Sequence, residues 1–171
     1  GNRMIYLTGD THGNQVLWDA CITSFLKAAD ILIVGGDFGF GFFDGCYWSE
    51  EMFFDYLSEQ QYIVLWVDGN HENFDKLKSY PVSEWNGGRV HRIRSNVIHL
   101  MRGEVYEING KRLFTFGGGN SLDKDLRIPG RSWWPDEMPC SEEYDNAIRN
   151  LERYNYEVDY IVTHTCPKET V

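Results

Sequence analysis

The stretch YIVLWVDGNHENF, residues 62–74, decides how this chain is read. Tyr62 to Val67 form an unbroken apolar and aromatic run, which suits a strand buried on both faces of a helix-covered sheet. The run then stops at Asp68-Gly69-Asn70-His71-Glu72. A buried strand thus ends in carboxylates, an amide and an imidazole, the side chains that bind metals or carry protons.

Working outward, the same ending recurs. MIYLT (4–8) stops at Gly9-Asp10-Thr11-His12, ILIV (31–34) at Gly35-Gly36-Asp37, and DYIVT (159–163) at His164. In an open α/β sheet, ligands bind outside the carboxyl ends of the strands. With these four strands as neighbours, Asp10, His12, Asp37, Asn70, His71 and His164 converge on one edge. The adjoining glycines permit the tight turns and close backbone approach such a site needs. A single Gly-Asp after a strand is usually only a turn; four endings of matching chemistry point to a site.

The intervening sequence supplies helices. Val16, Leu17, Ile22, Phe25, Leu26 and Ala29 are near helical spacing within 14–29, and 47–60 reads as a second helix. From about residue 89 the pattern changes. RVHRIRSNVIHLM (89–101), EVYEING (104–110) and KRLFTFGGG (111–119) read as strands with turns at Gly103, Asn109-Gly110 and Gly117–Gly119. Asn109-Gly110 is a hairpin signal. A helix is expected from about Ser141 to Tyr154, with Ser141 as N-cap and Glu142 and Glu143 in its first turn. With no repeat, low-complexity tract or linker, residues 1–171 read as one α/β domain.

Composition bounds the function. The 171 residues are 42% hydrophobic and 15% aromatic, enough for a globular core. A formal net charge of −10 argues against a protein that grips long duplex nucleic acid through phosphates. It leaves a phosphate substrate open, because bound cations reverse the local sign. Cys21, Cys46, Cys140 and Cys166 form no C-x-x-C pair and read as reduced, mostly core thiols of a cytoplasmic protein. No apolar run is long enough to span a bilayer, and no leader is read at the N-terminus.

Carboxylate, amide and imidazole donors together suit manganese, iron or zinc better than calcium, with magnesium as a further option. Two such ions about 3.5–4 Å apart form a recurrent clamp for phosphoryl chemistry, and an aspartate can bridge them. The motifs GDTHGN (9–14), GGD (35–37), GNHE (69–72) and IVTHTCP (161–167) resemble those of the calcineurin-like metallophosphoesterases. GGGNSLDKDLR (117–127) with Trp133-Trp134-Pro135 resembles a bacterial and phage-type branch.

The resemblance implies a four-layer αββα sandwich, two central sheets flanked by helices. It implies a dinuclear metal centre whose bridging hydroxide attacks phosphorus. Asp10 and His12 would hold one ion, Asn70 and His164 the other, and Asp37 would bridge them. His71 would act on the leaving oxygen, oriented by Asp37 or Glu72. The substrate would be a phosphate ester, such as a nucleotide or phosphoprotein.

Two departures stand out. Asp37 is followed by Phe38-Gly39-Phe40-Gly41 with no arginine, leaving Arg127 and Arg131 as phosphate-clamp candidates. The family's final Gly-His-x-His motif is absent before Val171, so the chain is expected to be truncated and its last strands missing, with partial metal occupancy and weak or absent activity. His91 and His99 read as ordinary strand residues. The aromatic segments 38–43 and 132–135 read as packing under loops. A reading from another class is a phosphoesterase-fold scaffold without activity that binds a partner protein. The intact His71 weighs against it.

Overall fold

Alternation along β2 (Ile31–Gly35) and β3 (Ile63–Val67) sets the architecture. Leu32, Val34, Val64 and Trp66 point to one face of their sheet, and Ile31, Ile33, Leu65 and Val67 to the other. Both sets are buried, so the sheet must be covered on both sides. The computed structural model describes residues 3–9, 11, 14–36, 38, 50–69, 72–118 and 135–164.

The first sheet has the order β1-β2-β3-β6-β5-β4, with β1 Ile5–Thr8, β4 Val82–Trp85, β5 Gly88–Arg94 and β6 Val97–Leu100. β1, β2, β3 and β6 run parallel, and β5 and β4 close the sheet antiparallel. The second sheet is β7-β8-β9, with β7 Glu104–Ile108, β8 Lys111–Phe116 and β9 Tyr160–Thr163. β7 and β8 are the hairpin expected from Asn109-Gly110, whose φ of 52° and 74° match a two-residue turn that needs positive φ at both positions.

Three apolar cores separate four layers. One lies between the first sheet and its helices, where Phe53, Phe54 and Leu57 of α3 (Glu50–Ser58) and Phe74 and Leu77 of α4 (Phe74–Lys78) join Trp18. The second lies between the sheets, with Leu100, Tyr106 and Leu113. The third packs Val105 and Phe114 against Ala147 of α5 (Ser141–Arg153). This helix–sheet–sheet–helix arrangement is the α/β sandwich expected from the sequence.

Several local expectations are corrected. The helix expected over 14–29 is present but shorter, running without a gap through α1 (Gln15–Leu17), a π-helical segment over Trp18–Ile22 and α2 (Thr23–Phe25). It stops because Leu26 turns extended and the buried Asp30 carboxylate accepts the Lys27 N–H at 2.9 Å, fixing a turn. β4 and α4, both five residues or shorter, were not read from the sequence. Cys140, not Ser141, is the N-cap of α5, and its N–H is accepted by the Glu143 carboxylate at 3.0 Å. Cys21 and Cys140 are exposed rather than in the core, while Cys46 and Cys166 lie outside the described residues. β1 is not buried on both faces: as an edge strand it leaves Ile5 and Leu7 exposed. The four motif-bearing strands do not share one sheet, because β9 belongs to the second. No helix among the described residues is long and apolar enough to cross a membrane.

Candidate functional site

Parallel pairing of β1, β2 and β3 puts their carboxyl ends side by side on one edge of the first sheet. Asp10, His12, Asp37, Asn70 and His71 themselves lie outside the described residues, as do Arg127 and Arg131. Their immediate neighbours are described, and these are stitched together. Thr11, flanked by Asp10 and His12, is 2% exposed and donates through Oγ1 to the Phe38 carbonyl at 3.4 Å. Phe38, next to Asp37, donates its N–H to Glu72 Oε1 at 2.8 Å. Glu72, next to His71, is fully buried. Residues 11, 38 and 72 thus link the three strand ends, and successive Cα atoms are only about 3.8 Å apart. Thr11 and Glu72 are buried polar side chains with a satisfied partner, as burial requires.

Phe38 shows how its loop is anchored. Its ring is fully buried and stacks on Trp66 of β3 at 4.6 Å between centroids. Packing is therefore the role of the first aromatic residue in the 38–43 segment. Residues 39–43 and 132–134 lie outside the described residues.

The fourth ending comes from the other sheet. His164 follows β9, and its Nδ1 lies 3.0 Å from the Gly35 carbonyl oxygen at the end of β2. A carbonyl only accepts, so Nδ1 carries a proton, and in the corresponding tautomer the lone pair is on Nε2. A backbone carbonyl holding one ring nitrogen is the usual means of orienting a metal-binding imidazole. Gly36 makes the approach feasible. Its φ is +99°, and a Cβ there would sit 2.0 Å from His164 Nδ1. The sheets thus meet one residue before Asp37.

A buried polar network supports the β3 end from the other side. The Asp68 carboxylate accepts from His99 Nε2 at 2.8 Å and from Arg102 Nε and Nη2 at 2.9 and 2.7 Å. Burial alone would raise the pKa of Asp68; the Arg102 charge and the His99 contact outweigh it and hold the group well below the usual carboxylate range. Arg102 also donates to Glu143 Oε1 at 2.9 Å and to the carbonyls of Asp136 and Met138, so one guanidinium joins β3, the 3-10 turn Pro135–Glu137 and α5. Gly117 packs against Asp68, and the Gly118 N–H donates to the Asp68 carbonyl at 2.7 Å.

Sequence reading did not find this network. His99 faces Trp66 on β3 and His91 on β5, and only the sheet order reveals those pairings. The Asp68 that precedes Gly69-Asn70 was its one visible sign.

Among the described residues, no group of three His, Cys, Asp or Glu side chains forms a metal cluster. His164 is the described member of the expected ligand set, and its carbonyl-fixed ring fits that role. The family model described as calcineurin-like phosphoesterase matches residues 4–168. No curated protein and no solved structure gives a match.

Proposed function

Because the chain belongs to the calcineurin-like phosphoesterase family, we propose that it hydrolyses a phosphate ester with divalent metals held by Asp10, His12, Asp37, Asn70 and His164. Such metals supply a hydroxide nucleophile near neutral pH and neutralise charge on the phosphoryl oxygens. Asp10 and His12 serve one ion, Asn70 and His164 the other, and Asp37 both. His71 donates to the leaving oxygen. The Gly35 carbonyl keeps the His164 tautomer that leaves Nε2 for coordination. Thr11 and Glu72 hold the loops that carry the other ligands.

The observation that carries this reading is the junction of His164 with Gly35 and Gly36. It brings the fourth motif from a separate sheet to the strand end that precedes the bridging aspartate. The substrate class is a phosphomonoester or phosphodiester, with nucleotides and phosphoproteins as members.

The test is metal counting by elemental mass spectrometry after loading with manganese or zinc. It is paired with hydrolysis of p-nitrophenyl phosphate and bis-p-nitrophenyl phosphate. Wild type should hold up to two ions. Asp37→Asn should lose both, and retention of both would remove the bridging role. His71→Ala should keep its metal and lose about 10²–10⁴-fold in turnover, the usual contribution of a general acid. Metal loss in that variant would make His71 a ligand instead. Two bound ions with neither ester cleaved would favour a binding scaffold.

A further inference from the structure

A cavity of about 310 Å³ lies beside the buried network, between α4, the β5–β6 pair and the start of α5. Phe74, Leu77, Met101 and Met138 give it apolar walls, and His91 and His99 line it as well. Its volume is at the lower end of the range for small-molecule sites.

The histidines give it polarity of a definite sense. The two rings stack at 17° with their Nδ1 atoms 3.0 Å apart. Asp68 is an ionised acceptor, so His99 Nε2 carries a proton toward it. Arg102 balances the Asp68 charge, and in the tautomer with its proton on Nε2 His99 has its lone pair on Nδ1. His99 Nδ1 is then an acceptor, and His91 Nδ1 donates to it. The last lone pair of the chain is on His91 Nε2. His91 is 8% exposed, and Nε2 has no hydrogen-bond partner among the described residues. Nor is Nε2 among the fully enclosed unpaired atoms, so it opens onto accessible space. Burial, the largest cause, pushes His91 down to about 4, which keeps it neutral at ordinary pH.

The charged groups of the lining are matched to one another. Lys78 pairs with Asp136 at 3.0 Å, and Arg102 with Asp68 and Glu143. Every charged side chain of the lining is thus in an ion pair, and the surplus of one carboxylate repels an anionic guest. Thioethers and aromatic rings favour an aromatic guest. We propose that this cavity is a second binding site, for a small uncharged aromatic molecule that donates an O–H or N–H hydrogen bond to His91 Nε2. The Asp68–His99–His91 chain holds His91 in the accepting tautomer. This proposal goes beyond the phosphoesterase reading and needs no metal.

Phenol is the probe, added to the metal-free 171-residue chain at about pH 8, above the ordinary histidine range. Nitrogen-15 imidazole spectra report both tautomers. The expected result is an unprotonated His91 Nε2 whose resonance moves saturably with phenol. Anisole, which keeps the ring and loses the donor, should bind about tenfold more weakly, the worth of one hydrogen bond. Met138→Trp, which fills the cavity from its rim, should abolish phenol binding while the tautomers persist. A protonated Nε2, equal binding of anisole, full binding in Met138→Trp, or no saturable shift would each overturn the proposal. None of these readouts involves hydrolysis, so failure here leaves the metal-centre reading to its own test.

Discussion

Gly36 shows how one missing carbon shapes the candidate site. A Cβ there would overlap the His164 ring at 2.0 Å and would also strain a backbone at φ +99°. Gly36→Ala should therefore displace His164 while the first sheet stays folded. Metal counting should fall by up to one ion per chain, with only a modest drop in melting temperature. Two ions held with unchanged affinity would show that His164 is not a ligand. His91 makes a separate residue-scale prediction. Its folded pKa of about 4 lies below the ordinary 6.5, so on acidification the unfolded chain takes up the proton first. Stability is full above about pH 6.5 and declines as pH falls to about 4, by an order of a few kcal/mol. The groups around it are His99, Asp68, Arg89 and Lys78. Urea unfolding from neutral pH to pH 4 should show the decline, and His91→Phe should flatten it. An unchanged slope in that variant would assign the titration elsewhere.

At the scale of elements, α5 packs on Val105 and Phe114 and is tied by hydrogen bonds to one short stretch, Arg102-Gly103-Glu104. Gly103 has φ +78°, and a Cβ on it would lie 2.8 Å from the backbone nitrogen of Ala147. Asn146 and Asn150 side chains donate to the Arg102 and Gly103 carbonyls at 3.1 and 2.8 Å, locking the helix at that distance. Gly103→Ala should cost about 1–3 kcal/mol in chemical denaturation, because strain and overpacking act together. Wild-type stability in that variant would mean α5 shifts freely. Arg102→Met is the harsher change. It leaves the buried Asp68 carboxylate with His99 as its remaining side-chain donor, and breaking such a pair costs about 3–5 kcal/mol. A loss below about 1 kcal/mol, the level of a surface pair, would show that water already reaches the carboxylate.

At the scale of the whole molecule, the sequence displayed the strands and their endings because each is a local pattern. A run such as ILIV or YIVLWV announces its own burial, and a glycine beside a carboxylate marks where it stops. Asn109-Gly110 likewise encodes its hairpin within two residues. The order of strands is not local. β6 sits between β3 and β5, so the partners of His99 come from β3 and β5 at once and no spacing rule connects all three. The placement of β9 in the second sheet was equally hidden, and so was the way His164 reaches β2. That reach has a temporal side. The hydrogen bond from His164 to Gly35 joins residues 129 apart in the chain, while β1, β2 and β3 can pair much earlier. Contacts of such long separation form late, after local and sheet-forming ones. During synthesis, a nascent chain that has not yet emerged as far as β9 has the first sheet and lacks the junction. On the ligand set proposed above, the last imidazole is a quality check written into the topology: it reaches the first sheet only after nearly all of the described fold has been made and docked.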